Sequence, residues 1–159
     1  MTSADPYFGK IRFRACGLIV EDRKILLVKQ NVPTRDHPVW LPPGGGVHTG
    51  ELIEDAVVRE VREETHLNTS KPKLRYVHEF IHSRVHAIEF YFRMGSYSGE
   101  LKNGFDPEHP EDEQLIHLAQ FVEFSRLDSI KLIPAFLQKE LIEGNFFEDR
   151  ITYFKTQEK

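Results

Sequence analysis

Three glutamates, Glu60, Glu63 and Glu64, stand three and four residues apart in a stretch that otherwise reads as an amphipathic helix. Side chains at those spacings are neighbours on a helix surface. On a wheel advancing about 100° per residue, Leu52, Ile53, Ala56, Val57, Val61 and Leu67 occupy one half of the circumference, and the three glutamates fall in that same half. The opposite half carries Glu51, Glu54, Asp55, Arg59, Arg62, Thr65 and His66, with Val58 as its strong apolar member. A glutamate-rich helix is ordinarily a solvated face laced with i,i+4 ion pairs. The wheel opposes that reading, because these carboxylates sit where the core should be and project as one cluster. Two carboxylates about 4 Å apart repel by roughly 4 kcal/mol at an effective dielectric near 20, so a cation must join them, or protons must. Oxygen donors match a hard divalent ion, Mg2+ or its substitute Mn2+, which keeps several waters for a phosphate-bearing substrate.

Just upstream lies Pro42-Pro43-Gly44-Gly45-Gly46, which excludes regular helix or central strand. Glycines beside a helix start and a carboxylate cluster imply phosphate chemistry. The segment is not a Walker loop, since it continues Val47-His48-Thr49-Gly50 where that motif has Gly-Lys-Ser/Thr. Arg12 and Arg14 alternate on an upstream strand and are candidates for substrate phosphates, against the plainer role of exposed strand arginines. Trp40 either stacks a base or packs. His78, His82 and His86 have zinc spacing for a helix, but they fall in a strand-turn-strand region where that spacing means little. Cys16 is the single cysteine, in an apolar run, which excludes an intrachain disulfide and suggests an inert buried thiol.

The elements that must position these residues follow from pattern and punctuation. Lys10 to Val20 and Ile25 to Val28 read as two strands of a hairpin across Glu21-Asp22-Arg23-Lys24. Gly50 to Leu67 lacks proline and internal glycine and is the strongest helix in the chain. Leu74 to Ile81, Ala87 to Tyr97 and Leu115 to Phe124 read as strands, Leu127 to Glu143 as a helix interrupted or started late by Pro134, and Arg150 to Phe154 as a last extended piece. The expectation is one mixed α/β (α+β) domain over residues 1–159, with 1–9 and 155–159 as flexible ends.

Gly45, Glu51, Arg59, Glu60, Val61, Glu63, Glu64 and Leu67 fit the pattern G-x5-E-x7-R-E-U-x-E-E-x-G-U, and the chain thereby resembles the Nudix hydrolases. His66 stands where that family has glycine, at a helix end that calls for φ > 0, which His tolerates better than most residues. The resemblance implies an α/β/α sandwich with a mixed sheet and Mg2+-dependent hydrolysis of a nucleoside diphosphate linked to another group. It assigns metal binding to Glu60, Glu63, Glu64 and the Gly44 carbonyl, orientation of the glutamates to Arg59, and anchoring of the loop-to-helix junction to Glu51. Gly45 joins Arg12, Arg14 and Trp40, which the residues alone offer, as the candidates for substrate contact. The general base is a box glutamate, Glu60 or Glu63, or one from the acidic loop at 106–113, with Glu113 preferred and Glu111 second. A nucleotide-sensing module without hydrolysis is the alternative, disfavoured because every box glutamate is kept. The family's ADP-ribose subgroup carries a proline well after the box, and none lies between Pro72 and Pro107. Family members are often homodimers.

The 159 residues have 21 Lys+Arg against 25 Asp+Glu, a net charge of -4, which leaves no basic field for long nucleic acid. Residues 50–67 hold six acids and two bases, and 106–113 hold five acids without Lys or Arg, so the rest of the chain is net basic. No run approaches the roughly 20 apolar residues of a membrane span, and no basic-then-apolar leader opens the chain. A cytoplasmic protein acting on a small phosphorylated molecule is the expectation.

Overall fold

A computed structural model describes residues 9–32, 34–104, 107, 110–111 and 114–159. Its core is two sheets and a helix. Strands β1 (Ile11–Leu18), β2 (Val20–Glu21), β3 (Lys24–Gln30), β4 (Val39–Leu41) and β5 (Gly44–Gly46) lead to helix α1 (Ile53–Thr65). After it come β6 (Asn68–Ser70), β7 (Lys73–His82), β8 (Val85–Arg93), β9 (Ser96–Ser98), β10 (Ile116–Glu123), helix α2 (Phe136–Ile142) and β11 (Thr152–Glu158). One sheet runs β11-β7-β8-β1-β5, with β1 parallel to β8 and β11 parallel to β7; the other runs β10-β3-β2, with β4 also on β3. The α+β class and mixed sheet are as expected.

The predicted hairpin is corrected. The run from Lys10 to Val20 divides after Leu18: β1 joins the five-stranded sheet, and only Val20 and Glu21 fold back on β3, through Asp22 and Arg23 at φ 49° and 58°. Two consecutive positive φ values make the tight turn whose twist suits a hairpin. The Gly44–Gly46 run is a short edge strand, antiparallel to β1, with Cys16 opposite Gly44. The late helix begins only after Pro134, and a 3-10 turn occupies Phe124–Ser129. The expected flexible end at 155–159 is also corrected. Thr152 to Glu158 alternates half-buried with exposed residues along β7, so the strand continues four residues past Phe154.

Between the sheets lie Leu18, Ile25, Leu27, Tyr76, Tyr91, Val122, Leu137 and Phe146. On the other face of the larger sheet, Ala56, Val57 and Val61 of α1 pack on Ala15, Ile19 and Phe92. A Cβ at Gly17 would stand 2.6 Å from Val61 Cγ2, so glycine on β1 lets the helix settle directly on the strand. That close seat puts α1 against β5. Leu52, assigned by the wheel to the buried arc, is 71% exposed because it lies at the N-cap, before the helix reaches the sheet.

Candidate active site

Three pieces of chain meet at the site: β1, the β5 edge and α1. The wheel is right about the glutamates, since Glu60 and Glu64 are buried among Ala56, Val57, Val61 and Thr65 while Glu63 stays partly exposed. At the helix end His66 takes φ 63° and donates its N–H to the Arg62 carbonyl at 2.9 Å. The left-handed cap is thus made without glycine, a sterically tolerated use of His.

Arg59 organises the cluster. Its Nε and Nη2 donate to Glu51 Oε1 and Oε2 at 2.7 and 3.0 Å, and Nη2 also reaches the Gly46 carbonyl at 3.0 Å. Nη1 donates to Glu60 Oε1 at 2.8 Å and Glu63 Oε2 at 3.2 Å. Glu51 in turn accepts the His48 backbone N–H at 3.0 Å, which ties the loop to the helix start. One planar fork therefore fixes three carboxylates and a strand carbonyl, geometry that an ammonium would not reproduce. Glu64 turns the other way and accepts the Gly44 backbone N–H at 3.1 Å. Among the described residues, no group of three His, Cys, Asp or Glu side chains is disposed to hold a metal ion as it stands, the helix glutamates being turned to Arg59 and to Gly44. The Arg59 cation occupies the space between Glu60 and Glu63, and this is how the repulsion is relieved.

Gly45 explains itself by distance, because a Cβ there would lie 2.5 Å from the Glu60 carboxyl carbon and Oε1. Burial pushes the Glu60 carboxyl above its ordinary range, even against the Arg59 hydrogen bond. Glu51 moves the other way, to about 2, held there by its hydrogen bonds from Arg59. Outside α1 the polar face opens on a cleft of about 900 Å3, lined by Asp55, Arg59, Arg62, Glu63, His66 and Asn68 among others.

The remaining candidates separate. Arg14 is committed: Nη1 donates to Glu89 Oε1 at 2.7 Å, and Nη2 stands 3.5 Å from the Gly44 carbonyl oxygen. Arg12 runs beside β5, its Nη2 4.0 Å from where a Gly46 Cβ would be. Trp40 packs on the inter-sheet core under Lys29, whose Nζ is 5.9 Å from the ring centroid, and its backbone bonds Lys131 and Ile133. Packing is the role these contacts describe. Glu113 lies outside the described residues, and Glu111 is exposed. His78, His82 and His86 each face a carboxylate, Glu89, Glu158 and Glu79 respectively, at 2.8 to 2.9 Å. Cys16 is buried, and burial pushes its thiol up to about 12. Sequence reasoning missed Glu89, Tyr91 and Thr156. The signal was there: Glu89 alternates inward with Ala87 and Tyr91 on a strand whose inner face should be apolar.

Acid should undo part of this arrangement. Glu51 and Glu89 both fall to about 2 from an ordinary 4.5, Glu89 because His78, Arg14 and Tyr91 outweigh the upward push of its own burial. A carboxylate depressed in the folded state stabilises above its unfolded pKa, and the gain is lost as pH falls through the folded one. We expect urea midpoints to drop steeply between about pH 4.5 and pH 2, and Glu89→Gln to flatten that slope.

The fold and the carboxylate-bearing helix define a hydrolase of the Nudix type. The NUDIX domain family profile matches residues 11–139, and the chain belongs to the Nudix family. It is 35% identical over 125 residues to the ADP-ribose pyrophosphatase of Methanocaldococcus jannaschii, an overlap of 77% of this chain and 70% of that protein. The MutT NUDIX hydrolase of Burkholderia pseudomallei superposes with a TM-score of 0.62 at 25% identity, covering 73% of this chain and 85% of that one. The MutT protein of Bacillus halodurans shares the fold at a TM-score of 0.66 and 18% identity, over 92% of this chain and 90% of its own. Among the described residues, no helix is long and apolar enough to cross a membrane.

Proposed function

We propose that the chain hydrolyses the phosphoanhydride bond of a nucleoside diphosphate linked to a second group, with ADP-ribose or a nucleotide sugar as the substrate class. The observation that carries this reading is the buried Glu60 carboxylate, held with Glu63 on one Arg59 nitrogen against the backbone of Gly45. Burial raises the Glu60 carboxyl even with Arg59 beside it, so further positive charge at this carboxylate is favoured. Carboxylate and carbonyl oxygens are the donor set of Mg2+ or Mn2+, so Glu60, Glu63 and Glu64, on turning from Arg59 and the Gly44 N–H that engage them here, would hold such an ion with the Gly44 carbonyl. When bound, it neutralises the pyrophosphate and acidifies a water.

The protein's own groups do the rest. Arg59 keeps the helix glutamates aimed toward β5, and Glu51 holds Arg59 by two hydrogen bonds. Glu60 is the preferred base of the box, taking a proton from the water that attacks phosphorus. Arg12, which runs beside Gly46 on the β5 edge, is the side chain we assign to a substrate phosphate. The named relative supports ADP-ribose, whereas the missing subgroup proline after the box favours a nucleotide sugar. A lone buried cysteine suits the cytoplasm, and a homodimer is the expected assembly, which light scattering reads directly.

The deciding experiment is turnover of ADP-ribose, nucleotide sugars, dinucleoside polyphosphates and nucleoside triphosphates, followed by mass spectrometry with Mg2+ and with Mn2+. We expect a nucleoside monophosphate and a phosphorylated second product from one of the first two classes. Absence of turnover on every class at high enzyme overturns the proposal, and tight binding without product moves the chain to the sensing alternative.

A further inference from the structure

The Gly44 peptide is held from both ends. Its N–H donates to Glu64 Oε2 at 3.1 Å, and its carbonyl oxygen faces Arg14 Nη2 at 3.5 Å. Gly44 itself cannot yield, since a Cβ there would lie 2.6 Å from the Ala15 carbonyl oxygen and Cys16 Sγ. A guanidinium therefore sits beside one of the oxygens proposed above to hold a divalent cation. A positive charge so placed opposes a second one, and a mobile arginine would compete for the same carbonyl and for Glu64.

Arg14 is neither mobile nor uncompensated. Nη1 is held by Glu89 Oε1 at 2.7 Å, and Nε is buried without a hydrogen-bond partner, so the side chain is pinned through Glu89 and the Gly44 contact. Glu89 is locked in turn: its Oε2 lies 2.8 Å from His78 Nδ1 and accepts from the Tyr91 hydroxyl at 3.0 Å, and His78 Nε2 is 2.9 Å from Thr156 Oγ1 on β11. Of the carboxylates near Arg14, Glu89 is the one that bonds it directly, while Glu60 acts on it at longer range. Burial pushes the Cys16 thiol up to about 12 and also raises the Tyr91 phenol, so both are neutral.

We infer that Glu89 is a positioning residue that neutralises Arg14 where its Nη2 lies against the Gly44 carbonyl, thereby easing the approach of a divalent ion to that end of the site. The inference rests on the proposed function, and it extends the working site across β8 and β7 to β11, elements outside the glutamate helix. Glu89 acts by charge, which sets it apart from a residue that merely fills the core.

Charge and structure are separable by a cycle read as Mn2+ affinity, using the paramagnetic resonance of free Mn2+ or calorimetry on the full chain without substrate. Glu89→Gln keeps the shape and removes the charge, and should weaken Mn2+ binding at least tenfold. Adding Arg14→Met to that variant removes the opposing cation and should restore affinity to within about threefold of the unaltered chain. Arg14→Met alone should bind Mn2+ no more weakly than the unaltered chain, an outcome that keeps the test available if Glu89→Gln does not fold. Unchanged affinity in Glu89→Gln overturns the inference, as does failure of Arg14→Met to rescue it, or a tenfold loss in Arg14→Met alone. If the unaltered chain binds no Mn2+, the metal reading falls first and takes the inference with it. If it binds Mn2+ but turns over nothing, the inference stands and only the hydrolysis fails.

Discussion

Glu60→Gln should lower kcat by roughly 10²–10⁴-fold, the range for losing a positioned acid-base group, while leaving the folded state as stable as before or more so. The amide keeps the shape of the carboxylate and can still accept from Arg59. Arg59 loses one of three acidic partners and retains Glu51 and Glu63, so no unpaired cation is left behind. The ionised Glu60 is itself a burden on the fold: its pKa is raised by burial, and stability falls as pH rises through it. The amide removes that dependence. Thermal unfolding at neutral pH should show an unchanged or higher Tm alongside the lost turnover. A variant that keeps activity within a few fold would remove Glu60 from the chemistry, and one that loses both would make its role structural.

Gly45→Ala should separate placement from folding in the opposite direction. The new methyl would lie 2.5 Å from the Glu60 carboxyl, so something must shift, and the carboxylate end of a flexible side chain is what yields. Overpacking of this kind costs about 1–3 kcal/mol, which a small domain survives. Displacing a reacting group by about 1 Å, however, costs on the order of 10²-fold in rate. We expect kcat to fall about that much with KM nearly unchanged, because Glu60 is moved and not removed. The backbone at Gly45 has no positive φ to relax, so activity within twofold of the unaltered chain would mean that the close approach does not hold Glu60 in place.

Both expectations rest on features legible before any coordinates. The glutamates declare themselves by standing among Ala56, Val57 and Val61, since helical period depends only on local spacing. The box residues, the late start of α2 after Pro134 and the unusual cap at His66 are local in the same sense. Sheet partnership is not. Nothing within residues 10–20 says that β1 will leave its neighbour and pair with β8, because that choice depends on which apolar faces are still uncovered. The tail beyond Phe154 failed for a related reason: Lys155, Gln157 and Glu158 look like a solvated end until the edge of β7 supplies an unpaired ladder. Glu89 shows its inward position by alternation, but its burial becomes credible only with its cations known, and Arg14 and His78 lie on two other strands.

Placing β1 between β5 and β8 also says when the site can exist. Its parallel partner begins at Val85, about 75 positions after Ile11, so during synthesis β1, β5 and α1 emerge with one flank of the strand unmatched and the helix's apolar stripe only partly covered. Long-range parallel pairing is slow because chain entropy must be lost before contacts return it. The carboxylates are thus set in place only once the larger sheet closes, and an incomplete chain should be catalytically silent rather than weakly active, giving the cell no half-built hydrolase to restrain.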